Sequence, residues 1–149
     1  MICVAVAALE GALAGCGARQ RLAQLRMPAY SPPFALWLII GLLFYAMCFV
    51  ILRRLLDSSG ASASHRLALL FLILVLLANA LWSVLFFRWR DLRASFLGFI
   101  PYAALVAASV ALVARAYPLG AIFLSCYCIY LIYAINWGYH VWRLNTPNT

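Results

Sequence analysis

A chain of 149 residues that is 68% hydrophobic and only 9% charged is not an ordinary water-soluble domain. Its net charge of +8 comes from eleven basic residues, every one of them Arg, against three acids. These arginines fall mainly at the ends of apolar segments and make no basic face, which argues against a nucleic-acid partner and for membrane lipids as the surroundings.

The first apolar stretch, residues 2–18, carries only Glu10 as a charge. It reads as a short transmembrane helix, with Gly11 and Gly15 spaced for close packing against a neighbour. Leu13-Ala14-Gly15-Cys16 resembles a lipoprotein cleavage box, but Glu10 interrupts the apolar run and no positive region precedes it, so a cleaved leader is the weaker reading. Residues 19–33 break the pattern with three arginines and with Pro28, Pro32 and Pro33, and are expected to form a lid-like loop. Leu22 and Leu25 leave room there for one amphipathic turn.

A second crossing is expected over 34–54, with the Tyr45 hydroxyl in need of a partner at membrane depth. Residues 57–65, DSSGASASH, read as a flexible solvent-facing linker. The third crossing, 66–87, runs from Arg66 to Arg88. It contains Asn79, an amide that is costly in lipid unless it faces protein or water. Trp82 follows at i+3, on the same face of a helix. Arg88–Arg93 reads as a tight interfacial turn. The fourth crossing, 94–113, is rich in small residues and interrupted by Pro101. The fifth, 118–142, is rich in aromatic groups, and Tyr130, Tyr133 and Trp137 share one face of it. Whether that face lines a cavity or packs on neighbouring helices is left open by the spacing.

The chain therefore reads as one all-α integral membrane domain, a bundle of five transmembrane helices. Counting arginines by side gives seven against four and places the C-terminus on the positive, cytosolic or matrix, side. Five cysteines scattered in apolar stretches read as buried small hydrophobes and not as a disulfide framework. The sequence offers no paired carboxylates, nucleophile–base pair or metal cluster, and so points away from an enzyme.

Three stretches, in order, carry a family resemblance. Leu25-Arg26-Met27-Pro28-Ala29-Tyr30-Ser31-Pro32-Pro33 resembles the loop motif L-x-K-P-S-F/W-x-P-P of the translocator, or tryptophan-rich sensory, proteins (TspO/MBR). Asn79-Ala80-Leu81-Trp82-Ser83-Val84-Leu85-Phe86-Phe87 resembles N-x-x-W-S/P-x-x-F-F, and Trp142-Arg143-Leu144-Asn145 resembles W-R-x-N. The chain departs from the pattern elsewhere. The W-Y before the loop motif is Arg21-Leu22, the second-helix Trp falls at Gly41 or Ile40, and the fifth-helix L-N is Trp137-Gly138.

The resemblance implies a five-helix bundle, usually dimeric, in a bacterial envelope or a mitochondrial membrane. It implies a pocket for a tetrapyrrole such as protoporphyrin IX, or for a sterol. Tyr45, Asn79, Trp82, Tyr130 and Tyr133 are the expected ligand-binding residues, under a lid that includes Pro32 and Pro33. The altered motif residues keep a second reading open, in which the chain is a non-binding accessory subunit of a larger membrane complex.

Overall fold

The structure, a computed structural model, describes residues 18–57 and 62–146, and among these every regular element is helical. A short helix α1 (Ala18–Gln24) precedes the loop and four long helices. These are α2 (Phe34–Asp57), α3 (Ala63–Ser83), α4 (Leu92–Ala116) and α5 (Pro118–Asn145). With 24 to 28 residues in α2, α4 and α5, and 26 in α3 with the π turn that continues it, each exceeds the roughly 20 residues that cross a hydrocarbon core. The expected first crossing, 2–18, lies almost wholly outside the described residues.

The ends of the helices follow local hydrogen bonding more than hydrophobicity. Residues 57–65, read as linker, include the start of α3. Ser62 is extended and accepts from the His65 N–H, so the helix begins at Ala63, ahead of the apolar run. At its other end α3 passes into a π turn, Val84–Arg88, closed by the Trp89 N–H on the Val84 carbonyl at 2.9 Å. Arg90 then takes a positive φ of 58°, and Asp91 caps α4 by accepting from the Ala94 N–H at 2.8 Å. Pro118 opens α5 at a position where its missing N–H costs nothing. Likewise the expected loop 19–33 is shorter than its prolines suggest, because Ala18–Gln24 is helical.

Helix α4 lies between α3 and α5 and makes the most extensive contacts of the bundle, while α2 closes it against α3 and α5. Cys48, Leu72, Val75, Leu76, Val106 and Leu124 are completely shut off inside. The outer surface is just as apolar: Leu42 is 71% exposed, and Ile129 and Ile132 are 70% exposed. Large aliphatic side chains facing outward on long helices would be an aggregation liability in water, but suit contact with acyl chains.

Candidate functional site

Helical spacing assembles the site. On α2, Trp37, Gly41, Phe44 and Tyr45 stand at i, i+4, i+7 and i+8. On α5, Tyr127, Tyr130, Ala134 and Trp137 repeat every three or four residues. Both stripes face Asn79, Trp82 and Phe86 from α3 and its π turn, with Phe99 and Tyr102 from α4. Between them is a cavity of about 400 Å³, lined on the α1 side by Ala18 and Leu22.

The walls are largely aromatic ring. Trp82 stacks on Phe86 with centroids 5.1 Å apart, and Trp137 meets Trp37 edge-on at 4.9 Å. The Trp82 indole N–H is already used: it donates to the Ser95 carbonyl of α4 at 3.2 Å, so the cavity meets its ring and not its donor. The Trp137 N–H is used likewise, donating to the Ser31 hydroxyl at 2.9 Å.

Polar groups in the walls come in pairs. Asn79 Nδ2 donates to the Tyr45 hydroxyl over a long 3.4 Å, and the Tyr102 and Tyr127 hydroxyls share a hydrogen bond at 3.0 Å. Tyr130 lies in the wall between Tyr127 and Tyr133, with ring centroids at 5.6 and 6.0 Å.

Of the residues expected from sequence, Tyr45, Asn79, Trp82 and Tyr130 border the cavity. Tyr133, Pro32 and Pro33 lie elsewhere. Tyr133 donates to the Tyr30 carbonyl at 3.2 Å, and Pro33 offers its carbonyl to the Leu36 and Trp37 amides at the start of α2. None of these three residues lines the cavity wall. Trp137, whose face the spacing left open as a cavity lining, does border it, and Trp37, Phe44, Tyr102 and Tyr127 join the wall without a signal of binding in the sequence motifs. For Trp37 the helical spacing held one instead: it sits on the helical face of Tyr45, one turn before Gly41.

Loop 25–33 is tied to the C-terminal half of α5. Asn145 Oδ1 accepts from the Arg26 N–H and its Nδ2 donates to the Arg26 carbonyl, both at 2.9 Å. The Tyr30 hydroxyl donates to Asn136 Oδ1 at 2.7 Å and lies 3.0 Å from His140 Nδ1. The loop motif and the C-terminal W-R-x-N motif thus meet through the backbone of Arg26.

Four bilayer-length apolar helices around an aromatic cavity fit an all-α integral membrane protein with an apolar site between its helices. A family model, the TspO/MBR family, matches residues 1–143. The chain belongs to the TspO/MBR family. The comparison with curated proteins returns no match.

Proposed function

We propose that this TspO-like membrane protein binds a hydrophobic, planar ligand of the tetrapyrrole or sterol class in the cavity between α2, α3 and α5. One observation carries the reading: an interior space of about 400 Å³, walled by aromatic rings with a few paired polar groups. That volume falls within the roughly 300–1,000 Å³ of small-molecule sites. A flat ring system gains from stacking against Trp37, Trp82 and Tyr130, and a ligand carbonyl or ring nitrogen would compete for the long Asn79–Tyr45 hydrogen bond. The loop held on α5 serves as the lid. An accessory subunit without a ligand calls for an interior filled by its own side chains, so the open cavity favours the binding reading.

Residues 2–18 supply a fifth crossing in a single membrane domain, and the protein works as a homodimer or within a membrane complex. Its C-terminus lies on the arginine-rich cytosolic or matrix side of a bacterial or mitochondrial membrane. The experiment is a titration of the purified chain with protoporphyrin IX, following tryptophan fluorescence. Saturable quenching that weakens in Asn79→Ala and Trp82→Phe is expected. Quenching no greater than that of empty micelles would end the binding reading.

A further inference from the structure

The loop and the C-terminal turns of α5 run side by side in fixed register. The Arg26 backbone is bonded to Asn145 at 2.9 Å, and four residues on the Tyr30 hydroxyl donates to Asn136 Oδ1 at 2.7 Å. The Tyr30 carbonyl accepts from Tyr133 at 3.2 Å. Beside these contacts, on the outer face of the bundle, is an open hollow of about 490 Å³ lined by Tyr30, Ile129, Ile132, Tyr133 and Asn136. It is separate from the aromatic cavity, and the two share no lining residue among those described.

The chemistry along this face of α5 changes in a definite order. Ile129, Ile132, Asn136 and Arg143 fall on one helical stripe. The two isoleucines face outward and suit an acyl chain. Asn136 is exposed as well, and an outward amide is costly against hydrocarbon. Tyr30 takes up its Oδ1, so the amide has its Nδ2 donors to offer the hollow. Arg143 stands two turns nearer the helix end, where the backbone bond to Asn145 holds Arg26 alongside, and both arginines are exposed. At about 1.5 Å per residue, the 28 residues of α5 outrun the roughly 30 Å of hydrocarbon, so this end reaches headgroup level. Apolar floor, amide donors and then two cations repeat the order of acyl chain, ester carbonyl and phosphate in a bilayer leaflet.

We propose that the hollow is a site for one anionic glycerophospholipid. An acyl chain lies on Ile129 and Ile132, Asn136 Nδ2 donates to an ester carbonyl, and Arg143 with Arg26 holds the phosphate through charge-assisted hydrogen bonds. A sterol would suit the apolar floor, but its single hydroxyl gives the arginines no anion. The lipid touches loop and helix together, so its binding also holds the loop against α5. The site lies outside the cavity and does not depend on what the cavity binds.

The test uses the full chain in neutral maltoside micelles, with phosphatidylglycerol, phosphatidylcholine and cholesterol as probes. Bound lipid is counted by native mass spectrometry, and amide exchange is followed over residues 26–30. One phosphatidylglycerol per chain is expected, held about tenfold more tightly than phosphatidylcholine, with slower exchange in the loop. Arg143→Gln should weaken that binding about tenfold, and Arg53→Gln, at the far end of α2, should leave it unchanged. Ile132→Trp fills the hollow without touching the Tyr30–Asn136 bond, and should expel the lipid at an unchanged unfolding temperature. Phosphatidylglycerol binding that does not saturate, or that survives both Arg143→Gln and Ile132→Trp, overturns the site. Equal retention of phosphatidylcholine, or displacement by cholesterol, overturns the anionic phospholipid as its occupant. None of these results bears on the cavity, which shares no wall with the hollow.

Discussion

Asn145 does more for the loop than its place near the end of the chain suggests. Its side chain bonds both the N–H and the carbonyl of Arg26, and also the Val141 carbonyl of its own helix at 2.8 Å. Truncation to Ala removes two loop hydrogen bonds, each worth about 1 kcal/mol. Asn145→Ala is therefore expected to speed amide exchange across residues 25–33 about tenfold or more, while α2 and α4 keep their protection. Unchanged exchange in the loop would show that other contacts hold it. Gly41 tests the cavity from within. A Cβ there meets nothing within 4 Å, so the position opens onto empty space, and Trp37 supplies an aromatic wall one turn earlier. Gly41→Phe should fold, since no backbone has to move, and should reduce protoporphyrin quenching at least tenfold by filling the space with its own ring. Gly138 is the contrasting case: its added Cβ would fall 2.9 Å from a Phe99 ring carbon, and overpacking of this kind costs about 1–3 kcal/mol. Gly138→Ala is expected to lower the unfolding temperature, with Phe99 pushed out of place.

At the scale of helices, what the sequence makes legible is apolar length, and what it hides is hydrogen bonding at the ends. The long uncharged runs locate α2 to α5. The start of α3 is decided by one serine hydroxyl, and its end by a π turn whose ladder leaves no trace in hydropathy. The site divides in the same way. Asn79 and Tyr45 stand out because a polar group inside an apolar run demands a partner, and here each finds the other. Tyr133 shares a helix face with Tyr130 and Trp137, but periodicity cannot separate a side chain aimed at a cavity from one aimed at a loop a fraction of a turn away. Its hydroxyl donates to the Tyr30 carbonyl, and its side chain lines a second hollow beside Tyr30 and Asn136. Asp91 offers a direct test of an end. The carboxylate caps α4, and the Ser95 hydroxyl closes the same turn by donating to the Asp91 carbonyl at 2.6 Å. Asp91→Ala should cost about 1 kcal/mol, and Asp91→Ser should recover most of it, read as thermal unfolding in detergent. Equal losses in the two variants would mean that the cap contributes little.

The whole molecule inverts the water-soluble pattern, and that inversion is what a membrane assignment has to explain. Its helices bury Leu76 completely while leaving Ile129 70% exposed, although the two residues have nearly equal apolar surface. In lipid both are at ease, so composition alone cannot tell inside from outside, and only packing distinguishes them. Charge can. An arginine at an outward position near the centre of a span costs about 2.5–3.5 kcal/mol on insertion scales. Ile129→Arg should therefore lower the membrane-inserted fraction, yet the inserted molecules should keep a folded bundle, because the side chain touches no core. Leu76→Arg places the same charge where no lipid, water or partner can reach it, and should abolish the folded state. Thiol chemistry gives an independent reading of the same geometry: Cys126 is exposed on α5, and Cys48 is 0% exposed on α2. In detergent micelles, with chains retaining one cysteine each, a maleimide should reach outward-facing Cys126 far faster than Cys48, which should react fully only after denaturation. Rapid labelling of Cys48 in the native bundle would require α2 to stand away from α3 and α5. That would remove the third wall of the cavity, and the proposed ligand site with it.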